Sequence, residues 1–126
     1  MKGKEISPQL QNQILQFQQI QQQLQAVTAQ KMQIEAQVKE MDLGIEAIRG
    51  TDKDTPIYRM VGGLLIQTKD HEALLKEIEE KKETMEIRLR ALEKQEKHLR
   101  DRYSELHEQI SKILGAQVTQ KSEEEE

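Results

Sequence analysis

The 126-residue chain has no cysteine, no tryptophan, one phenylalanine and two tyrosines. Without cysteine there is no disulfide framework and no thiolate metal site, a composition that suits a reducing cytosol. Aromatics make up 2% of the residues and hydrophobics 35%, against 33% charged, which is too little bulky apolar material for a thick globular core. No apolar run approaches the roughly 18–20 residues of a membrane span. The N-terminal MKGKEISPQ has no hydrophobic stretch for a signal peptide, so a cytoplasmic location is expected. A basic stripe of the kind that binds nucleic acid is also missing. The net charge of −4 equals the four glutamates Glu123 to Glu126, and the remainder balances at 19 positive against 19 negative. Two classes fit this profile, disorder and long amphipathic helices with a narrow apolar seam.

Periodicity selects the helices. Alternating steps of three and four from Leu10 pass through Gln13, Phe17, Ile20, Leu24, Val27, Lys31, Ile34, Val38, Met41, Ile45 and Ile48, and ten of these twelve positions are apolar. Ile6 extends the register by one step. A second seam runs His71, Leu75, Ile78, Lys82, Met85, Leu89, Leu92, Glu96, Leu99, Tyr103, Leu106, Ile110 and Ile113. Such 3.5-residue repeats mark a left-handed coiled coil. Ser7 and Pro8 suit a helix start, and Gly50 suits a left-handed C-cap. Asp70 or Thr68 suits the second start and Gly115 its end. The second helix is laced with Glu/Lys/Arg pairs at i,i+4, such as Glu77–Lys81. The first carries no formal charge from Gln9 to Gln30 and is filled with glutamine.

The two seams match in length, and about 20 residues separate them, so the simplest arrangement folds one helix back on the other. The connector breaks the helix. Gly50 to Pro56 is turn chemistry, and the runs 57–61 and 64–68 are β-branched, aliphatic or aromatic and are joined by Gly62-Gly63, which is a hairpin signal. A lone hairpin is marginal in water, and Leu64, Leu65 and Ile66 in sequence make both faces of one strand apolar. The expectation is that hairpins from several chains pair into a shared sheet or barrel through Ile57, Tyr58, Met60, Val61, Gly62, Gly63, Leu64, Leu65 and Ile66. The alternative is that the hairpin folds down on its own coiled coil. The fold class is therefore mainly α, a long antiparallel two-helix coiled coil joined by a single β-hairpin that oligomerises. It forms one domain over 1–114 (helix 8–49, hairpin 57–68, helix 70–114), with 115–126 as an acidic flexible tail.

At this point the sequence resembles the β-type subunit of prefoldin in its archaeal form. The resemblance rests on the glutamine-rich first helix, on YRMVGGLLIQ between the helices, and on a charged second helix of matching length. At the hairpin, Tyr58, Arg59, Val61, Gly62, Leu65 and Ile66 occupy the family pattern. The resemblance implies a heterohexamer of two α-type and four β-type subunits, whose hairpins form a β-barrel platform bearing six coiled-coil arms. It also implies ATP-independent capture of unfolded proteins near the arm tips and transfer to a group II chaperonin.

The candidate client site is the open end of the arm, with Ile6, Leu10, Ile14, Phe17, Ile110, Ile113 and Leu114. Apolar residues there are covered on one side only and offer weak contacts that several arms multiply. The plainer reading is ordinary seam packing. The polar seam residues Gln13, Lys31, Lys82 and Glu96 are expected to set register, with no ion pair among them. On an antiparallel pairing Lys31 should lie near Arg88 and Leu89, Lys82 near Gln37 and Val38, and Glu96 near Gln23 and Leu24. Catalytic, metal and cofactor sites are not expected. His71, His98 and His107 lack metal spacing, and Asp52 and Asp54 begin a calcium loop that lacks its glycine and glutamate. A structural spacer that binds folded partners is the rival reading.

Overall fold

In the computed structural model, backbone is described for residues 7–125 and side chains for residues 7–116. Four elements follow one another: α1 (Pro8–Arg49), β1 (Ile57–Val61), β2 (Leu64–Thr68) and α2 (His71–Glu125). The mainly α fold is as the sequence predicts, two long helices with a single antiparallel hairpin between them. Contacts group the chain into two compact units. One combines α1 up to Ala29 with α2 from Leu92 onward, and the other runs from Gln30 to Ala91 and contains the hairpin.

The helix starts are held by their own side chains. Ser7 Oγ accepts the Leu10 N–H at 3.1 Å, and Asp70 Oδ1 accepts the Ala73 N–H at 3.1 Å, so each takes up one donor left over in a first turn. Asp70 is thus the cap of α2, and Thr68 remains within β2. The end of α1 differs from expectation. Gly50 keeps a negative φ, and Thr51 closes the helix by donating both its N–H (3.2 Å) and its hydroxyl (2.8 Å) to the Ile48 carbonyl. A side-chain donor on that carbonyl removes the need for a left-handed glycine.

The second helix also runs further than its sequence suggests. It passes through Gly115 to Glu125, where 115–126 was expected to leave the helix as a tail. One glycine costs a helix only about 1 kcal/mol against alanine, and the residues that follow, AQVTQKSEEE, include several good helix formers.

Every described position of the two seams is buried or half-buried, the polar ones included. The deepest are Leu10 and Leu106, followed by Val27, Ile34, Ile45, Leu92 and Leu99. Leu74, one place off the seam in the first turn of α2, is buried as well.

In each unit the helices run antiparallel, but the register differs from expectation. In the first unit Glu96 meets Thr28 rather than Gln23 and Leu24; in the second, Lys82 meets Asp42 rather than Gln37 and Val38. Each partner lies about one helical turn further along α1. A slip of one seam step still sets apolar side chains against apolar side chains, so the repeat alone cannot choose between the two registers. Polar contacts choose: a buried carboxylate needs a donor, and an ammonium needs a carboxylate.

The hairpin has the tight form that its glycines allow. Gly62 (φ 57°) and Gly63 (φ 81°) both take the left-handed conformation of a two-residue turn. The pairs are Ile57 with Thr68, Tyr58 with Gln67, Arg59 with Ile66, Met60 with Leu65 and Val61 with Leu64.

Candidate functional site

Two surfaces concentrate the chemistry, one in each unit. The first is the hairpin. Side chains alternate along a strand, so Ile57, Arg59, Val61, Leu64, Ile66 and Thr68 share one face, and Tyr58, Met60, Leu65 and Gln67 share the other. The first face is turned toward α2. Arg59 donates from both terminal nitrogens to the two oxygens of Glu77, each at 3.1 Å. Such a fork fixes orientation as well as distance. Those hydrogen bonds, together with the guanidinium charge, hold the Glu77 carboxyl below the usual carboxylate range, and Lys81 at 3.8 Å adds to the effect.

The hairpin does not fold down on the helices. Tyr58, Met60, Val61, Leu64, Leu65 and Ile66 are 48–74% exposed, while Ile57 at its base is half-buried. Both faces are therefore apolar and wet. A two-stranded ribbon also leaves the outer edge of each strand with unpaired backbone groups. The arrangement is a sticky element tied to α2 by a polar fork.

The helices beneath the hairpin are joined by charge. Lys82 pairs with Asp42 across the helices and lies 3.6 Å from Glu86 on its own helix, and Arg49 reaches Glu79 at 2.6 Å. The expectation of no ion pair at Lys82 is thus corrected, since the shifted register brings Asp42 opposite it. The bond to Asp42 lifts the Lys82 ammonium above the ordinary lysine range, against the pull of partial burial. Lys31 lies 3.8 Å from Glu35 on its own helix.

The second surface lies in the other unit. Gln13 donates to Gln109 at 3.4 Å. Phe17 stacks on Tyr103 with ring centroids 4.6 Å apart, and His107 stands 6.1 Å from Phe17 and 6.4 Å from Tyr103. Two of the three aromatic residues thus converge there. Of the expected client residues, Ile14, Phe17, Ile110 and Ile113 are half-buried and Leu114 is exposed. Leu10 has no accessible surface, so contact with it would need the helices to part. Ile6 lies outside the described residues. The sequence reading passed over Leu15, which stands on the outer side of α1 and is exposed. Its position five places after Leu10 in the repeat was the available signal.

Further along this unit Glu96 is only 3% exposed, yet carries a carboxylate. Thr28 Oγ1 donates to it at 2.9 Å, and Arg100 approaches its other oxygen at 3.4 Å. This is a polar lock within the seam. Among the described residues no group of three or more His, Asp or Glu could hold a metal, and no helix is long and apolar enough to cross a membrane.

Comparison with known proteins fits this architecture. Residues 11–117 match the family described as prefoldin subunit. The prefoldin subunit beta of Archaeoglobus fulgidus is 42% identical over 114 residues, which cover 90% of this chain and 97% of that one. Its counterpart from Methanosarcina mazei is 44% identical over 111 residues, covering 88% and 94%. The crystal structure of the prefoldin beta subunit from Thermococcus strain KS-1 superposes with a TM-score of 0.77 at 37% identity, covering 87% of this chain and 96% of that one. Matched over most of its length, the chain belongs to the prefoldin subunit family of chaperone subunits and is of its archaeal β type.

Proposed function

We propose that the chain is one subunit of an ATP-independent holdase that binds unfolded proteins and delivers them to a group II chaperonin. The observation that carries this reading is the hairpin, which displays apolar side chains on both faces and open backbone edges. Such an element needs cover, and sister hairpins can supply it by strand pairing. An α-type companion completes the assembly, with two α and four β subunits and the hairpins closing into β-barrels. Ile57, Tyr58, Met60, Val61, Gly62, Gly63, Leu64, Leu65 and Ile66 are the assembly residues.

Clients are held in the first unit, around Ile14, Phe17, Ile110, Ile113 and Leu114. Each contact is weak, and several arms on one platform raise the effective concentration. The test is to dilute a denatured protein into the assembled complex without nucleotide. Suppressed aggregation at substoichiometric complex supports the holdase. Assembly without suppression would make the chain a spacer that binds folded partners.

A further inference from the structure

The solvent side of α1 in the first unit stands out in a chain that is one-third charged. From Pro8 to Gln30 it has no charged residue. Leu15, at 58% exposure, is the most exposed large hydrophobic side chain described in that unit. Gln11, Gln18, Gln19 and Gln22 lie four before and three, four and seven after it, on the same helix face, and all are exposed. On α2 the same unit exposes Lys94, Lys97, Asp101, Glu105 and Glu108. One helix therefore carries the solvating charge and the other carries none.

We propose that Leu15 and this collar of amides form a contact surface for unfolded polypeptide, set on the outer side of α1 and apart from the seam ends. The occupant follows from the chemistry. An unfolded client presents backbone amides, scattered apolar side chains and charges of either sign. A fixed charge on the surface would repel a share of such chains, whereas a neutral one repels none. Glutamine both donates and accepts, so it matches either polar group of a backbone. Leu15 supplies the apolar contact in the middle. The proposal rests on the holdase reading above and adds where on the helix the client lies and why its charge does not matter.

The test uses the complex assembled with its α-type companion and two permanently unfolded probes. These are reduced, carboxamidomethylated α-lactalbumin, which is acidic, and lysozyme treated the same way, which is basic. Binding is read by fluorescence anisotropy, and assembly by native mass spectrometry. Leu15→Gln should keep the mass of the complex and weaken binding of both probes by about fivefold or more, because the loss repeats on every β arm. Q18E/Q19E/Q22E should weaken binding of the acidic probe and spare the basic one. Unchanged binding of both probes by both variants would overturn the surface. A change in assembled mass with Leu15→Gln would also overturn it, by making this face a contact between subunits. A wild-type complex that binds neither probe would instead overturn the holdase reading itself.

Discussion

Arg59 on β1 closes a two-bond fork on Glu77 of α2, and this is the polar contact that ties the hairpin to the helix. The pair is exposed to water, so its worth lies in direction rather than in stability. Arg59→Gln should leave thermal unfolding of the helices nearly unchanged while speeding amide hydrogen exchange across residues 57–68. Equal exchange in the variant and the parent would show that the turn alone sets the angle of the hairpin.

The same fork has a defined pH dependence. Glu77 titrates below its unfolded value, about 4.3, so its contribution is complete above that value and is lost as pH falls through the lowered folded pKa. Hairpin protection should be lost in the parent as pH falls below the ordinary glutamate range, and Glu77→Gln should remove that step. Exchange followed by mass spectrometry across this range checks the sign.

Thr28 and Glu96 make the corresponding test in the other unit. Thr28→Val takes the hydroxyl donor from a buried carboxylate and should cost about 1.5–3 kcal/mol in thermal or denaturant unfolding. Glu96→Leu should be neutral or stabilising, because an apolar seam residue replaces a buried charge. Its cost should appear as looser register. The chain has no native cysteine, so a maleimide crosslink between Gln13→Cys and Gln109→Cys reports register cleanly. That crosslink should form less completely in the Glu96→Leu background.

Glycine substitutions should separate by backbone conformation. Gly44 lies inside α1 with nothing within 4 Å of an added Cβ, so Gly44→Ala should raise stability by roughly 1 kcal/mol. Gly62→Ala and Gly63→Ala also have room, but each forces a left-handed alanine and should cost roughly 1 kcal/mol of hairpin stability. Helical circular dichroism and hairpin exchange distinguish the two effects.

The seams and the hairpin were legible in the sequence because each obeys a period that one chain displays by itself. The seam positions from Leu10 to Ile48 and from His71 to Ile113 are buried or half-buried, and the Gly62-Gly63 turn joins the strands. Register was not legible, since sliding one helix by a seam step keeps every apolar contact of the same kind. It took Thr28 on Glu96 and Asp42 on Lys82 to fix it. The end of α2 was misjudged because Gly115 reads as a stop, although an exposed glycine interrupts a helix only weakly. Leu15 escaped notice because attention to the seam passes over the outward side of the repeat, where a lone leucine looks incidental.

The central claim is that the exposed hairpin cannot stand alone and builds the holdase. Native mass spectrometry of the chain mixed with an α-type companion and an unfolded client, without nucleotide, tests it most directly. A species of two α and four β subunits carrying the client is predicted, and it should be lost when Met60 and Leu65 are changed to aspartate while the helices stay folded. Solitary chains in the parent mixture, or an intact hexamer in that double variant, would contradict it.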